Sequence, residues 1–239
     1  MQEHLAIIKK QLFFPDGVRL MNRPAHYQGG VSVHFKRAEQ AANFGREIGL
    51  QYVHAHIRFS EAMAKIGEKN ETWRALNTIN PIQLQTRVPN ASLRQANAYF
   101  SSSDGDFPTR YAAQEQFDKL KTGAVNVKGG WRIYSSGPGI YVNQLISAIL
   151  GIRAFHDRYV FDPVLPDELD GLSCAFQLNK TPVEIVFHLN QTERKVCLDG
   201  VELPFEEEAN RYRPGGLVIQ ANAVHSRLHE GSRIDVYSQ

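Results

Sequence analysis

A change of apolar period along the chain most constrains its fold. Up to about residue 155 the hydrophobic residues recur mostly at helical spacing, whereas from Phe161 onward they form short alternating runs broken by turn residues. That pattern predicts an α+β protein in two parts, residues 1–160 helical and residues 161–239 β-rich. Asp162-Pro-Val-Leu-Pro166 reads as the bridge, since its two prolines block both a helix and a central strand. Helices are expected over 4–12, 37–48, 51–66, 70–78, 110–121 and 138–153, with a long polar segment over 80–109 read as loop. Strands are expected over 172–178, 183–189, 195–198, 201–203, 217–220 and 233–237, with Asp199-Gly200 and Pro214-Gly-Gly216 as turns.

A chain of 239 residues, 42% hydrophobic, can bury a sizeable core. Its formal charge is +2, with 27 basic against 25 acidic residues spread along the whole length, so no basic stripe marks it for nucleic acid. Any anion is therefore bound locally. Cys174 and Cys197 fall in strand-like apolar runs and read as buried small hydrophobes in a reducing compartment, not as a disulfide or a metal pair. The start Met-Gln-Glu-His-Leu has no basic-then-apolar leader, and no run approaches about 18 apolar residues. The cytoplasm is the expected location, with no membrane contact in this chain.

The run Gly129-Gly-Trp-Arg-Ile-Tyr-Ser-Ser-Gly-Pro-Gly-Ile-Tyr141 leads straight into apolar-periodic sequence. Ser135, Ser136 and Gly137 sit where a helix should begin, Pro138 suits its first turn, and Leu145, Ile146, Ile149 and Leu150 form its buried stripe. Such a start offers free backbone N–H groups and the positive end of the helix dipole to an anion, although ordinary capping explains the same residues.

On the helix expected from Gln51, the stripe Tyr52, His56, Phe59, Met63 and Ile66 puts His56 on the buried face. His54 and Arg58, four apart, share another side and can converge on one oxyanion; a half-exposed pair with no ligand is the plainer alternative. His54 and His56 point to opposite sides of the helix, which argues against a zinc pair. The stretch Arg94-Gln-Ala-Asn97-Ala-Tyr99-Phe-Ser-Ser-Ser-Asp104-Gly-Asp106, then Arg110-Tyr111, mixes aromatic, amide, guanidinium and carboxylate groups as sugar sites do. Asp104 and Asp106 invite a general-acid reading, but nothing local suggests the desolvation that would raise their pKa values. Asn80-Pro-Ile-Gln83-Leu84 ends a helix. A serine-nucleophile motif, a dinucleotide-binding glycine loop and a Gly-Lys-Thr phosphate cradle are absent.

Taken in order, His54-Ala55, Ile79-Asn-Pro-Ile82, Gly130-Trp131-Arg132, Tyr134-Ser-Ser-Gly-Pro-Gly139 and Asp162-Pro-Val-Leu-Pro166 resemble the C-terminal portion of the glycoside phosphorylases related to cellobiose and chitobiose phosphorylase. Tyr52-Val-His-Ala-His-Ile-Arg58 and the Arg94–Asp104 stretch most resemble the branch acting on β-1,2-linked glucan. The resemblance implies a partial (α/α)6 barrel followed by a jelly-roll-like β-sandwich. It also implies inverting phosphorolysis, with a β-glucan oligosaccharide and inorganic phosphate as substrates, α-glucose 1-phosphate as product, and no cofactor or metal. His54, Ser136 and Gly137 match the family's phosphate clamp. The sugar contacts expected are Arg58, Gln83, Arg94, Asn97, Tyr99, Asp104, Arg110 and Trp131, with Arg58 an inference from its spacing alone.

The family's general-acid Asp is expected upstream of this chain, which then is a C-terminal part that needs the rest of the same enzyme, or a missing subunit, and is inactive alone. Two alternatives remain at this point. One is the phosphorylase-like region of a cyclic β-1,2-glucan synthase, and the other is a non-catalytic carbohydrate-binding module.

Overall fold

The structure, a computed structural model, describes residues 2–24, 26, 49–130 and 136–239, apart from the side chain of Ser136. The helix expected at 37–48, and Trp131 to Ser135, lie outside the described residues. The chain is α+β and divides into two compact units: residues up to Phe59 with Arg74–Tyr141, and Ser60–Trp73 with Val142–Gln239.

In the first unit, helix α1 (Gln2–Leu12) runs into a tight hairpin of β1 (Phe13–Phe14) and β2 (Gly17–Val18), turned by Pro15-Asp16. Gly17 sits at φ 125, which a residue with a Cβ rarely adopts. Arg19 donates to both carboxylate oxygens of Asp16, at 2.6 and 3.1 Å, and both side chains are buried. Phe14, Leu84, Val88, Ala91, Phe117, Leu120 and Val127 form one apolar cluster beneath this hairpin.

Helix α2 (Val53–Ile66) buries Val53, His56, Ile57, Ser60, Met63 and Ala64, a 3.6-residue stripe that includes the expected His56 and Met63, while Tyr52, Phe59 and Ile66, also expected on it, are half-buried. Helix α3 (Lys69–Thr78) follows after Gly67, which takes φ 83. His56 is a core histidine: its Nε2 lies 2.7 Å from the Ala75 carbonyl, and its Nδ1 accepts from the Val18 N–H at 3.0 Å. Both ring nitrogens are thus satisfied in the neutral tautomer, and burial lowers its pKa to about 4.

The segment expected as loop over 80–109 holds a short helix, α4 (Leu84–Arg87), and a strand, β4 (Ser102–Gly105). This is a correction. Ser-Ser-Asp-Gly has no hydrophobic alternation to announce a strand, yet β4 is hydrogen-bonded on both sides, between β3 (Gln51–Tyr52) and β5 (Val127–Gly130), with both pairings antiparallel. Paired backbone, not side-chain hydrophobicity, stabilises it there. Helix 110–121 is broken at Phe117 into α5 (Arg110–Gln116), capped by the Thr109 hydroxyl, and α6 (Asp118–Lys121).

Helix α7 (Ser136–Gln144) continues as a π-helical turn over Leu145–Ile149. It stops at Gly151, at φ 68, so the expected helical end at 153 is replaced by β6 (Ile152–Ala154), which pairs with β7 (Arg158–Phe161). These two strands begin before residue 161, where the β-rich part was expected to start, and they share a four-stranded sheet, ordered β12-β13-β7-β6, with β12 (Glu206–Glu207) and β13 (Leu217–Gln220). Asp162 accepts two hydrogen bonds from Arg213, at 2.6 and 3.0 Å, and lies 3.5 Å from the Arg153 guanidinium.

The second sheet of this unit is five-stranded, ordered β11-β10-β14-β9-β8. Its strands are β8 (Ser173–Leu178), β9 (Thr181–His188), β10 (Lys195–Leu198), β11 (Val201–Glu202) and β14 (Ser232–Tyr237), close to the expected bounds. Asp199 and Gly200 take φ 49 and 79 between β10 and β11, the left-handed pair that a type I′ hairpin turn demands. One face carries Val183, Ile185, Phe187, Val196, Leu198, Ile234 and Val236, all buried. Strand β14 pairs parallel with β9 and antiparallel with β10. Both cysteines are free thiols, Cys197 buried and Cys174 half-buried. A five-residue helix, α8 (Ala221–His225), follows β13. Among the described residues no helix is long and apolar enough to cross a membrane, and no cluster of His, Cys, Asp or Glu could hold a metal ion.

Candidate functional site

Helix α2 begins at Val53, directly after β3, so His54 is fixed in a first helical turn anchored by a buried strand residue, Gln51. Its ring stacks on Tyr52, with centroids 5.4 Å apart and planes at 15°, and meets Tyr99 edge-on, at 6.1 Å and 88°. The Tyr99 hydroxyl lies 3.4 Å from His54 Nδ1. Tyr99 in turn covers the start of α7: a Cβ built on Gly137 would lie 2.0 Å from Tyr99 Cε1. One tyrosine thus joins His54 to Gly137, two of the residues singled out by the resemblance. The side chain of the third, Ser136, and Trp131 lie outside the described residues, although the backbone of Ser136 opens the nine-residue helix.

Electrostatics favour an uncharged imidazole here. Burial first, and the Arg58 cation one turn on second, hold the His54 pKa below its ordinary value. A neutral imidazole has one N–H donor and one acceptor nitrogen, and its Nδ1 is the nitrogen that faces the Tyr99 hydroxyl. Burial, and secondarily Tyr52, push the Tyr99 phenol pKa up, so the hydroxyl keeps its proton.

A second group of polar side chains lines the sheet beside this helix. Arg94, expected as a sugar contact, is buried, donates from Nη2 to Ser103 Oγ at 2.9 Å, and lies over the Phe100 ring at 5.6 Å. Asp104 and Ser102 both crowd Gly130, since a Cβ there would lie 2.7 Å from Asp104 Oδ2 and 2.6 Å from Ser102 Oγ. Burial raises the Asp104 pKa, opposed by Ser102, Arg19 and Arg94. Ser102 Oγ is near enough to favour the carboxylate, yet its geometry makes no hydrogen bond; it and Asp104 Oδ1 are buried without a partner. Buried polar atoms left so carry a free-energy cost that a water or a ligand hydroxyl relieves. The desolvation that the sequence did not reveal at Asp104 comes from β5 packing across it.

Other candidates take further positions in the first unit. Gln83 is exposed, at φ 54, and its carbonyl accepts from Thr86 Oγ1 at 2.6 Å. Asn97 is exposed in a turn. Arg110 opens α5. Asp106 forms a surface ion pair with Lys128 at 2.7 Å. Tyr52, expected on the helix stripe and as the first residue of the Tyr52–Arg58 motif but not as a site residue, is the stacking partner of His54. Its aromatic ring two residues before the histidine is the signal that marked it.

Residues 151–237 match the glycoside phosphorylase C-terminal domain. The chain is 59% identical over 213 residues, 89% of its length, to 1,2-beta-oligoglucan phosphorylase of Listeria innocua, of which that stretch is 19%. It is 29% identical over 136 residues, 57% of its length, to the cyclic beta-(1,2)-glucan synthase NdvB of Rhizobium meliloti, of which that stretch is 4%. The chain thus spans about a fifth of the first relative and far less of the second. By the domain it carries over residues 151–237, and by its identity to a phosphorylase over most of its length, the chain is a relative of the glycoside phosphorylases.

Proposed function

We propose that this chain forms part of an inverting glycoside phosphorylase acting on β-1,2-linked glucan oligosaccharides. In this reading its helices contribute to an (α/α)6 barrel over residues up to about 150, and the four- and five-stranded sheets, from β6 onward, form a jelly-roll-like β-sandwich. The observation that supports it is the His54–Tyr99–Gly137 contact, in which one tyrosine touches both the imidazole and the first turn of α7.

Free N–H groups at Ser136 and Gly137 and the helix dipole hold phosphate oxygens, and His54 adds a hydrogen bond from the other side. A phosphate oxygen then attacks the anomeric carbon as the C1–O glycosidic bond breaks. The leaving oxygen takes a proton from a carboxylic acid in the remainder of the enzyme, and the proton that phosphate gives up on esterification restores that acid. The products are α-glucose 1-phosphate and a shortened glucan. Phosphate is already a nucleophilic anion, so no second carboxylate acts as base, and no cofactor is needed. Asp104, Arg94 and Ser102 contribute on the sugar side, where a substrate hydroxyl relieves the unpartnered Asp104 Oδ1 and Ser102 Oγ. Free Cys174 and Cys197 suit a cytoplasmic location.

The higher identity to the phosphorylase favours this reading over a synthase region. Calorimetric titration of the chain with inorganic phosphate tests the clamp: binding lost in His54→Ala supports it, and binding unchanged in that variant overturns it. Release of glucose 1-phosphate from sophorose-type oligosaccharides by the complete enzyme tests the linkage, and release from cellobiose alone would refute it.

A further inference from the structure

The second unit contains an open cavity of about 670 Å3 that shares no residue with the His54 group. Its walls are the β6–β7 hairpin turn, the Asn179 turn between β8 and β9, and the β13–α8 junction. We propose that this cavity binds a neutral oligosaccharide.

The frame is held rigid by its own hydrogen bonds. The Phe155 N–H donates to the Arg158 carbonyl and the Ala221 N–H to the Asp157 carbonyl, each at 2.8 Å. The buried Tyr159 places its hydroxyl 2.7 Å from His225 Nε2, and the two rings meet edge-on at 5.7 Å. Asn179 takes φ 44 in its left-handed turn. A pre-ordered wall adds little ordering cost to binding.

The chemistry of the wall selects the ligand. Phe155 is 44% exposed, with the Arg158 guanidinium over its ring at 4.4 Å. Around it stand three exposed amide side chains, Asn179, Gln220 and Asn222, none with a hydrogen-bond partner among the described residues, and the Asp157 carboxylate. No lysine or arginine lines the cavity among the described residues, Arg158 is paired with Asp157 at 3.0 Å, and of the two lining histidines His225 is engaged by Tyr159, so beside the carboxylate a phosphate or nucleic acid finds at most His156. A wholly apolar ligand would strand three amides, at about 1–3 kcal/mol for each group left unsatisfied. Sugar hydroxyls pair with amides and carboxylate, while the C–H face of a pyranose covers an aromatic ring. That the sugar is β-1,2-linked rests on the proposed function; that it is a neutral oligosaccharide does not.

Phosphate-free calorimetric titration of the chain with β-1,2-linked and β-1,4-linked gluco-oligosaccharides tests the assignment, using Phe155→Ala and Asn222→Ala at exposed positions, with circular dichroism to check that each variant folds. We expect each to weaken sugar binding about tenfold or more, and His54→Ala to leave it unchanged. Binding only of the β-1,4 series, still sensitive to Phe155→Ala, would keep the site and refute the β-1,2 linkage of the proposed function. No binding of either series, or binding indifferent to both cavity variants, would overturn the inference.

Discussion

The ring of Tyr99 lies so close to Gly137 that a Cβ on the glycine would come within 2.0 Å of it. Gly137→Ala must therefore displace Tyr99, and with it the hydroxyl 3.4 Å from His54. We expect that substitution to weaken phosphate binding about tenfold or more, the equivalent of about 1.4 kcal/mol. Gly139→Ala, two residues on, where a Cβ would meet nothing within 4 Å, should leave binding intact. Titrating both variants with inorganic phosphate checks the pair, and equal losses would remove Tyr99 from the account.

Arg58 helps to keep His54 uncharged. Replacing it by glutamine removes the smaller of the two causes that lower the His54 pKa. The titration midpoint of His54, followed by NMR, should move up toward the ordinary value without reaching it, because burial remains. An unmoved midpoint would show that the two side chains do not interact.

His56 makes folding sensitive to acid. Its folded-state pKa is about 4 against an ordinary 6.5, so between those values the unfolded chain takes up a proton that the folded chain refuses. Stability is therefore full above pH 6.5 and falls as pH drops through that window, by up to ~3 kcal/mol from this group. Urea unfolding at pH 7 and pH 5 should show the loss. His56→Gln, which keeps a donor and an acceptor, should be less stable at pH 7 but have a shallower pH dependence.

Gly151 ends the π-helical turn at φ 68, and a Cβ there would lie 2.1 Å from the Asp162 carbonyl carbon and oxygen. Backbone cannot yield as a flexible side chain can. Gly151→Ala should therefore cost at least about 2 kcal/mol, combining left-handed strain with a clash. Gly171→Ala, also at positive φ but with nothing within 4 Å, should cost less, about 1 kcal/mol. Thermal unfolding of the two variants separates strain from contact.

The elements legible in the sequence were those whose own side chains encode their period or turn. The α2 stripe through His56, the Asp199-Gly200 turn and β13 all carry such local signals. Strand β4 does not, because Ser102, Ser103 and Gly105 are buried, and Asp104 half-buried, between the strands on either side and not by their own hydrophobicity. Ile152–Ala154 continued the helical spacing of α7, and only the left-handed Gly151 turned it into a strand. Within the candidate site, His54 and Gly137 were readable through family resemblance. The bridging place of Tyr99 was not, since it joins residues 54, 99 and 137 through tertiary contact. Arg94 read as a polar loop residue and is buried, because β4 draws its guanidinium inward to Ser103.

Strand β14 occupies the middle of the five-stranded sheet, between β10 and β9, although it follows all of them in the chain. Until it emerges from the ribosome, β8–β9 and β10–β11 are separate ribbons with no ladder between them, and each has an unsatisfied edge. Assembly of this sheet therefore waits on its last-made strand, and a nascent chain stalled before Ser232 exposes two adhesive edges for a chaperone to shield.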